Sequence, residues 1–330
     1  MTDSDDRADS ARLDAVAVGS AVEDRVYALT NLPEPDGGAF VREESTAVGG
    51  VAANVAAALA RLGRETGVVS RLGDDDAADL ILADLRERGI DAERVRRGDP
   101  GERTTYSMIL RDPDGERMIV NGGEAVPNLR LTDDDLAYLR RADLAFASAY
   151  APDPVVAALV EAADGTAADG ASDRVDFPPL VFDLAGPLSE LEERATRPET
   201  LDDLLPVCDL FVANEVSARS YLGADPRSAI ETLRERGVRR AAVTRGTDGA
   251  LLLDGEAIVE IPAFEVETVD TTGAGDAFTA GLVHGWILDD RTPEDAGRFA
   301  AATAALNCTA ENARGGLPTE SEVEAFLNDR

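Results

Sequence analysis

Between Val269 and Gly285 the chain reads VDTTGAGDAFTAGLVHG, which sets the small residues Gly273-Ala274-Gly275 and an acid, Asp276, between a threonine pair and an apolar run. A carboxylate in the first turn of a helix is favoured by the helix dipole, and the bare amides of small residues beside it can hold a second anion. Two anions at one helix start compete unless the chemistry there uses both. The plainer reading is a helix start alone, with Thr271 or Thr272 as cap, Asp276 near the third position and the glycines making the turn.

A second stretch, VGGVAANVAAALARLG, places Gly49, Gly50 and Asn54 at the entry to another helix. The glycines would admit a ligand close to backbone, and an asparagine amide can both donate to and accept from a polyol. The alternative is a tight turn followed by an ordinary polar residue early in a helix. The stretch is not a dinucleotide fingerprint, because the first strand ends in VGSAVED with a single glycine, and the chain has no GxxxxGK[ST] loop.

These residues need a scaffold, and the pattern supplies one. LDAVAVGS (Leu13 to Ser20) reads as a buried strand, ANVAAALARLG (Ala53 to Gly63) as a helix stopped by glycine, TGVVSRLG as a strand and DAADLILADLRERGI as a helix. LAFASAY, PVVAALVEAA, PLVFDLA, LDDLLP, LFVAN, RSAIETLRERG and RAAVTRG continue the alternation. This predicts an α/β fold with a parallel sheet covered on both faces. Two stretches break it: DRVYALTNLPEPDGGAFVREEST, and TTYSMILRDPDGERMIVNG with its turn at Pro113-Asp114-Gly115, read as β-ribbons. Ribbons inserted early in an α/β core imply a flap over the carboxyl edge of the sheet, where ligands bind. Asp164 to Pro179 reads as an exposed loop.

Composition bounds the function. The chain has 330 residues, 44% of them hydrophobic, enough for a buried core without staples. Cys208 and Cys308 make no disulfide framework, and a single histidine, His284, makes a structural zinc site improbable. The 65 acids against 32 bases, all of them arginine, give a net charge of −33. That balance disfavours nucleic acid and anionic membrane as partners. The acids are spread between apolar positions, as on a solvated face, and resemble the surfaces of proteins from salt-accumulating halophiles. The acidic start MTDSDDRADSARLD has no apolar core, and no run approaches the ~18 residues of a membrane span. A cytoplasmic protein with a frayed tail over residues 1–11 is expected.

Together these stretches resemble the ribokinase-like (PfkB) carbohydrate kinases over nearly the whole chain, from AVGSAVED and GGVAANVAAALARLG through the ribbons to DTTGAGDAF and ARGGLPT. The resemblance implies one kinase domain over residues 1–330, a ribokinase-like three-layer α/β/α sandwich with a mostly parallel sheet and a small β-sheet lid formed by strands within 20–48 and 100–122. It implies an anion hole from the amides of Gly273, Ala274 and Gly275 for the transferring phosphoryl group, with Asp276 taking the proton from the accepting hydroxyl. Asp24 matches the family's sugar-gripping aspartate, with Gly49, Gly50 and Asn54 lining the same pocket. Asn214, Thr244, Gly246 and Gly249 fall on the nucleotide side, although Arg245 could equally be a surface residue. Asp270 and Thr272 match a monovalent-cation site, which would take potassium.

One position departs from the family. VANEVSARS gives Asn214 and then Ser217 where a glutamate usually stands near magnesium, so Asp183 or Glu215 is expected to order the magnesium waters. The implied reaction is ATP-dependent phosphorylation of a hydroxymethyl group on a small sugar or nucleoside, by a homodimer joined through the lid. A 2-keto-3-deoxy sugar acid is the alternative acceptor, with Arg103 or Arg117 as carboxylate ligand. A non-catalytic sugar sensor and a nicotinamide-dependent dehydrogenase are weaker readings: the intact Asp276 disfavours the first, the absent glycine fingerprint the second. His284, on the Asp276 helix, is read as packing.

Overall fold

The structure, a computed structural model, describes residues 12–165, 177–191 and 194–330. The expected tail (1–11) and most of the expected loop between Asp164 and Pro179 lie outside the described residues. In chain order the strands are β1 Ala15–Val18, β2 Val22–Leu29, β3 Val41–Gly49, β4 Thr66–Leu72, β5 Val95–Arg97, β6 Tyr106–Arg111, β7 Arg117–Gly122, β8 Ala145–Ser148, β9 Leu180–Asp183, β10 Leu210–Asn214, β11 Arg240–Thr244, β12 Ala250–Asp254 and β13 Ala257–Ile261.

The main sheet has nine strands in the order β13-β12-β11-β10-β9-β8-β1-β4-β5. Pairing is parallel from β11 through to β5, and antiparallel only where the β12–β13 hairpin closes one edge. Strand periodicity divides the core between the two faces. Val16 and Val18 of β1 join Phe182 and Phe211 in one cluster, while the alternate residues Ala15 and Ala17 join Val181, Leu210 and Val212 in the other. Strands buried on both faces read as continuous apolar runs, which is why these were legible in the sequence.

The second sheet has four strands, in the order β3-β2-β6-β7, and comprises the two expected ribbons. β3 extends to Gly49, one residue beyond the expected boundary, because Gly49 still pairs with Val22. In the main sheet, β9, β10 and β11 end at neighbouring points, with Asp183 beside Val212 and Asn214 beside Thr244. Their carboxyl edge therefore presents Asp183, Asn214 and Thr244 together. Among the described residues, no helix is long and apolar enough to cross a membrane.

Candidate active site

Asp276 lies in the first turn of the helix Ala274–Leu282, whose cap, Gly273, has φ 76°. A Cβ on Gly273 would sit 2.3 Å from the Ala313 carbonyl oxygen, so this position needs glycine for both conformation and space. The site divides into two lobes that meet at Arg117 and Thr271. The smaller, of about 220 Å³, is lined by Asp183, Asn214, Thr244, Gly273, Gly275 and Asp276 among others. The larger, of about 680 Å³, lies between Asp24 and one face of the four-stranded sheet on one side and the loop from Thr268 to Thr272 on the other.

Asp276 is held rather than free. The Asn54 amide donates to its Oδ2 at 2.7 Å, and Arg314 Nε donates to Asn54 Oδ1 at 2.7 Å. Arg314 in turn donates to Asp84 Oδ2 at 2.5 Å and to the Gly49 carbonyl at 3.4 Å. Burial pushes the Asp276 carboxyl up to about 7; the Asn54 hydrogen bond and the Arg314 charge oppose this, and the neighbouring Asp183 and Asp24 charges add to it. The same burial lowers the Arg314 guanidinium to about 10. A carboxylate poised near neutrality and facing a cleft is suited to general-base work.

Asp24, on β2, is buried, and burial raises it to about 6 against a Ser107 hydrogen bond and the Arg314 charge. Gly49 is fixed by this carboxylate, because a Cβ there would stand 2.0 Å from Asp24 Oδ2. Gly50, with φ 93°, would bring a Cβ to 2.6 Å from the Ser20 carbonyl oxygen. Asn54 was expected to offer its amide to a polyol. One N–H of that amide is given to Asp276 and one lone pair accepts from Arg314, so Asn54 orients Asp276.

The three amides expected to form an anion hole are not equivalent. Ala274 N–H donates to the Thr271 carbonyl at 3.2 Å and closes the turn, whereas Gly273 and Gly275 line the smaller lobe. Asp183 is buried at the end of β9, accepts from Ala185 N–H at 2.8 Å and Thr279 Oγ1 at 3.1 Å, and is raised to about 6 by burial. Asn214 caps the helix Glu215–Leu222, accepting from Ser217 N–H at 2.8 Å, while its amide donates to the Ala185 carbonyl at 2.5 Å. Ser217 is fully buried and accepts from Asn214 N–H at 3.0 Å. It completes a capping box, which explains what a serine does at this position.

Glu215 pairs with Arg219 along its own helix at 2.8 Å and does not line either lobe. Gly246 and Gly249 have φ of 58° and 79°, and a Cβ on Gly249 would meet the Ile261 carbonyl oxygen at 2.0 Å, so these glycines serve the turn between β11 and β12. Arg245 reaches Glu260 at 2.7 Å, a surface pair. Asp270 accepts from Thr272 N–H at 2.8 Å and from Asn312 N–H at 3.2 Å. Burial opposes its ionisation, yet these hydrogen bonds and the Arg111 charge hold its carboxyl below the usual value.

Of the two arginines expected to bind an acceptor carboxylate, Arg117 lines both lobes and donates to Thr272 Oγ1 at 2.8 Å, whereas Arg103 stacks on Tyr106 at 5.2 Å. His284 is buried, stacked on Phe299, and bonded to Arg64 and Glu320. His284, Asp289 and Glu320 approach one another closely enough to bind a metal, but Arg64 and Arg291 already neutralise that cluster. Sequence reasoning missed Arg314 and Asp84. The first sits in the ARGGLPT motif and the second in a helix that reads as amphipathic surface.

The profile of the pfkB family carbohydrate kinases matches residues 12–320. An ATP-dependent ribose-1-phosphate kinase of Halopiger xanaduensis is 32% identical over 315 residues, 96% of this chain and 98% of that protein. Fructokinase-1 of Oryza sativa subsp. japonica is 29% identical over 320 residues, 93% of this chain and 95% of that protein. Among solved structures, the Arabidopsis thaliana ribokinase complexed with ribose and ATP superposes with a TM-score of 0.80 at 26% identity, covering 96% of this chain and 99% of that one.

Proposed function

The chain belongs to the pfkB family of carbohydrate kinases and is an ATP-dependent sugar kinase; from that premise we propose that it phosphorylates a hydroxymethyl group of a small sugar or nucleoside, with Asp276 as general base. The observation that carries this is Asp276 itself, near neutral in pKa, oriented by Asn54 and facing a lobe shared with Gly273 and Gly275. The acceptor oxygen attacks the γ-phosphorus, the bond to ADP breaks, and the hydroxyl proton passes to Asp276. The amides of Gly273 and Gly275 face charge spreading onto the phosphoryl oxygens, and solvent is kept out by the lid.

Asp24 grips two neighbouring acceptor hydroxyls in this reading, with Gly49 giving its carboxylate room. Asn214 and Thr244 flank the nucleotide phosphates. Magnesium, when bound there, would supply positive charge against the phosphates. Asp183 fits as the residue that orders its waters, being an acid at the carboxyl edge whose protonation burial favours and a cation would reverse. Glu215 fits less well, as Arg219 already holds it. A potassium ion would take oxygen from Asp270 and the Thr272 carbonyl, and the buried, unpartnered Oδ1 of neighbouring Asn307 favours a cation nearby.

A single kinase domain over the chain and a homodimer through the lid complete the reading. Phe40 is 80% exposed, and Met118, Ile119 and Val120 of the lid edge are each about half exposed, an apolar surface that a second copy would cover. Incubation with ATP, magnesium and a panel of sugars, sugar acids and nucleosides in molar KCl tests the activity. ADP release with one of them supports the reading and names the acceptor; ATP turnover with none of them counts against it.

A further inference from the structure

Arg111 ends β6 and Arg117 begins β7, and the turn between them sets the two directly opposite each other. Side chains so placed share a face of the sheet, with Cβ atoms ~4.5–5.5 Å apart, and like charges there repel. Both residues line the larger lobe. Arg42, on β3, lines it too and has no ion pair among the described residues. Acids outnumber bases by 65 to 32 in this chain, so carboxylates to neutralise three arginines would be easy to supply.

The acids facing the lobe do so only for Arg111. Asp112 accepts from the amides of Asp114 and Glu116 at 3.0 and 2.9 Å and so serves its own turn. Asp270 is 3.6 Å from Arg111 and receives two backbone amides. Glu311 is exposed at the rim, and Asp24 lies at the far end. Arg111 pairs with Ala28, four residues along β2 from Asp24, a separation of roughly 13 Å at ~3.3 Å per residue. Arg117 has only the Thr272 hydroxyl as a hydrogen-bond partner among the described residues. The lobe thus has a carboxylate that suits hydroxyls at one end and, at the other, Arg42 and Arg117 without an ion pair among the described residues, beside Arg111, which shares Asp270 with two backbone amides.

We propose that the acceptor is an anionic sugar, carrying a phosphate or carboxylate away from the hydroxyl that is phosphorylated, and that Arg111, Arg117 and Arg42 hold that anion. The proposal rests on the sugar-kinase reading above and narrows it. An anion between Arg111 and Arg117 relieves their repulsion, and two planar guanidinium forks suit a group with two or three oxygens. The nucleotide's own phosphates do not explain the set, because Arg42 and Arg111 line only the acceptor lobe. None of the described residues lining that lobe is aromatic, so a nucleobase would find no ring to stack on.

Equilibrium binding without ATP tests the proposal, using ribose, ribose 1-phosphate, adenosine and 2-keto-3-deoxygluconate as probes. One of the two anions binds at least ~10-fold tighter than ribose and adenosine, and which one does identifies the group. Arg111→Ala and Arg117→Ala each lower the anion-to-neutral affinity ratio by about 10- to 100-fold, as expected for one charge-assisted contact. Equal or tighter binding of the neutral probes overturns the proposal, as does a preference for the anion that survives both substitutions. If a variant does not fold, the order of affinities in the parent protein decides alone. The kinase reading fails separately, when an acceptor binds yet releases no ADP from ATP and magnesium.

Discussion

Arg314 and Asp276 are joined through a single amide: Asn54 donates to the carboxylate at 2.7 Å while its oxygen accepts from the guanidinium at 2.7 Å. Because an amide can satisfy both at once only in one orientation, the contact fixes which Asp276 oxygen is engaged and leaves the other to the cleft. Replacing Arg314 by methionine leaves Asn54 Oδ1 as a buried acceptor without its donor, a cost of at least ~1–3 kcal/mol. It also removes a positive charge that holds the Asp276 pKa down. The variant is therefore expected to melt earlier and to need a higher pH for half-maximal kcat/KM. Both are read from thermal unfolding and a pH profile beside the parent, and a stable variant with an unmoved profile would show that the relay does not tune Asp276.

Asp276→Asn keeps shape and hydrogen bonding but cannot take a proton. Loss of a general base typically costs about 10²–10⁴-fold, so kcat falls by that much while direct binding of ATP and acceptor changes little. In the parent, activity needs the ionised form. With the free carboxyl raised to about 7, kcat/KM rises tenfold per pH unit below that value and levels above it. A parental rate in the mutant would mean that Asp276 only starts its helix.

Asp183 gives a stability prediction of opposite sign to most carboxylates. Its folded pKa of about 6 lies above the unfolded value of 3.8. Between those values the folded state keeps a proton that the unfolded state has released, so stability falls as pH rises across that window. Asp183→Asn escapes this penalty. Its melting temperature, equal or lower at pH 4, is expected to exceed the parent's above pH ~6, measured without nucleotide or magnesium. A constant difference across pH 4–7 would remove Asp183 from the account.

The parallel core and the two ribbons were legible because doubly buried strands and half-buried ribbons leave different apolar periods. The edge hairpin β12–β13 was not read, although Asp254 and Gly255 stand between its apolar runs, a turn signal for a hairpin. At the site, Asp276 announced itself because an acid among small residues is locally unusual. Arg314 and Asp84 did not, because their partners lie 230 residues apart in sequence and each looks locally like surface. The opposition of Arg111 and Arg117 needed the register of β6 on β7, which the turn at Pro113 to Gly115 suggested but only the pairing shows. Ser217 was read as a missing ligand, since a capping box buried against the sheet edge does not differ in sequence from an exposed one.

Salt provides the last test, because two electrostatic effects oppose each other. Screening weakens the arginine pairs, but exposed pairs such as Arg219 with Glu215 or Arg236 with Asp202 are worth only ~0–1 kcal/mol each. Screening also weakens repulsion among the acids, and with a net charge of −33 that repulsion remains after every arginine is paired. The Debye length shrinks from about 10 Å at 0.1 M to about 3 Å at 1 M, shorter than the spacing of most surface charges. Repulsion is thus the larger effect, and the melting temperature is expected to rise steadily from dilute buffer to molar KCl. Sodium chloride at equal ionic strength separates screening, which treats the two salts alike, from a specific cation at Asp270, which does not. A melting temperature that stays flat or falls over this range would mean that the acidic surface is already balanced by its arginines, and that salt is no condition of the fold.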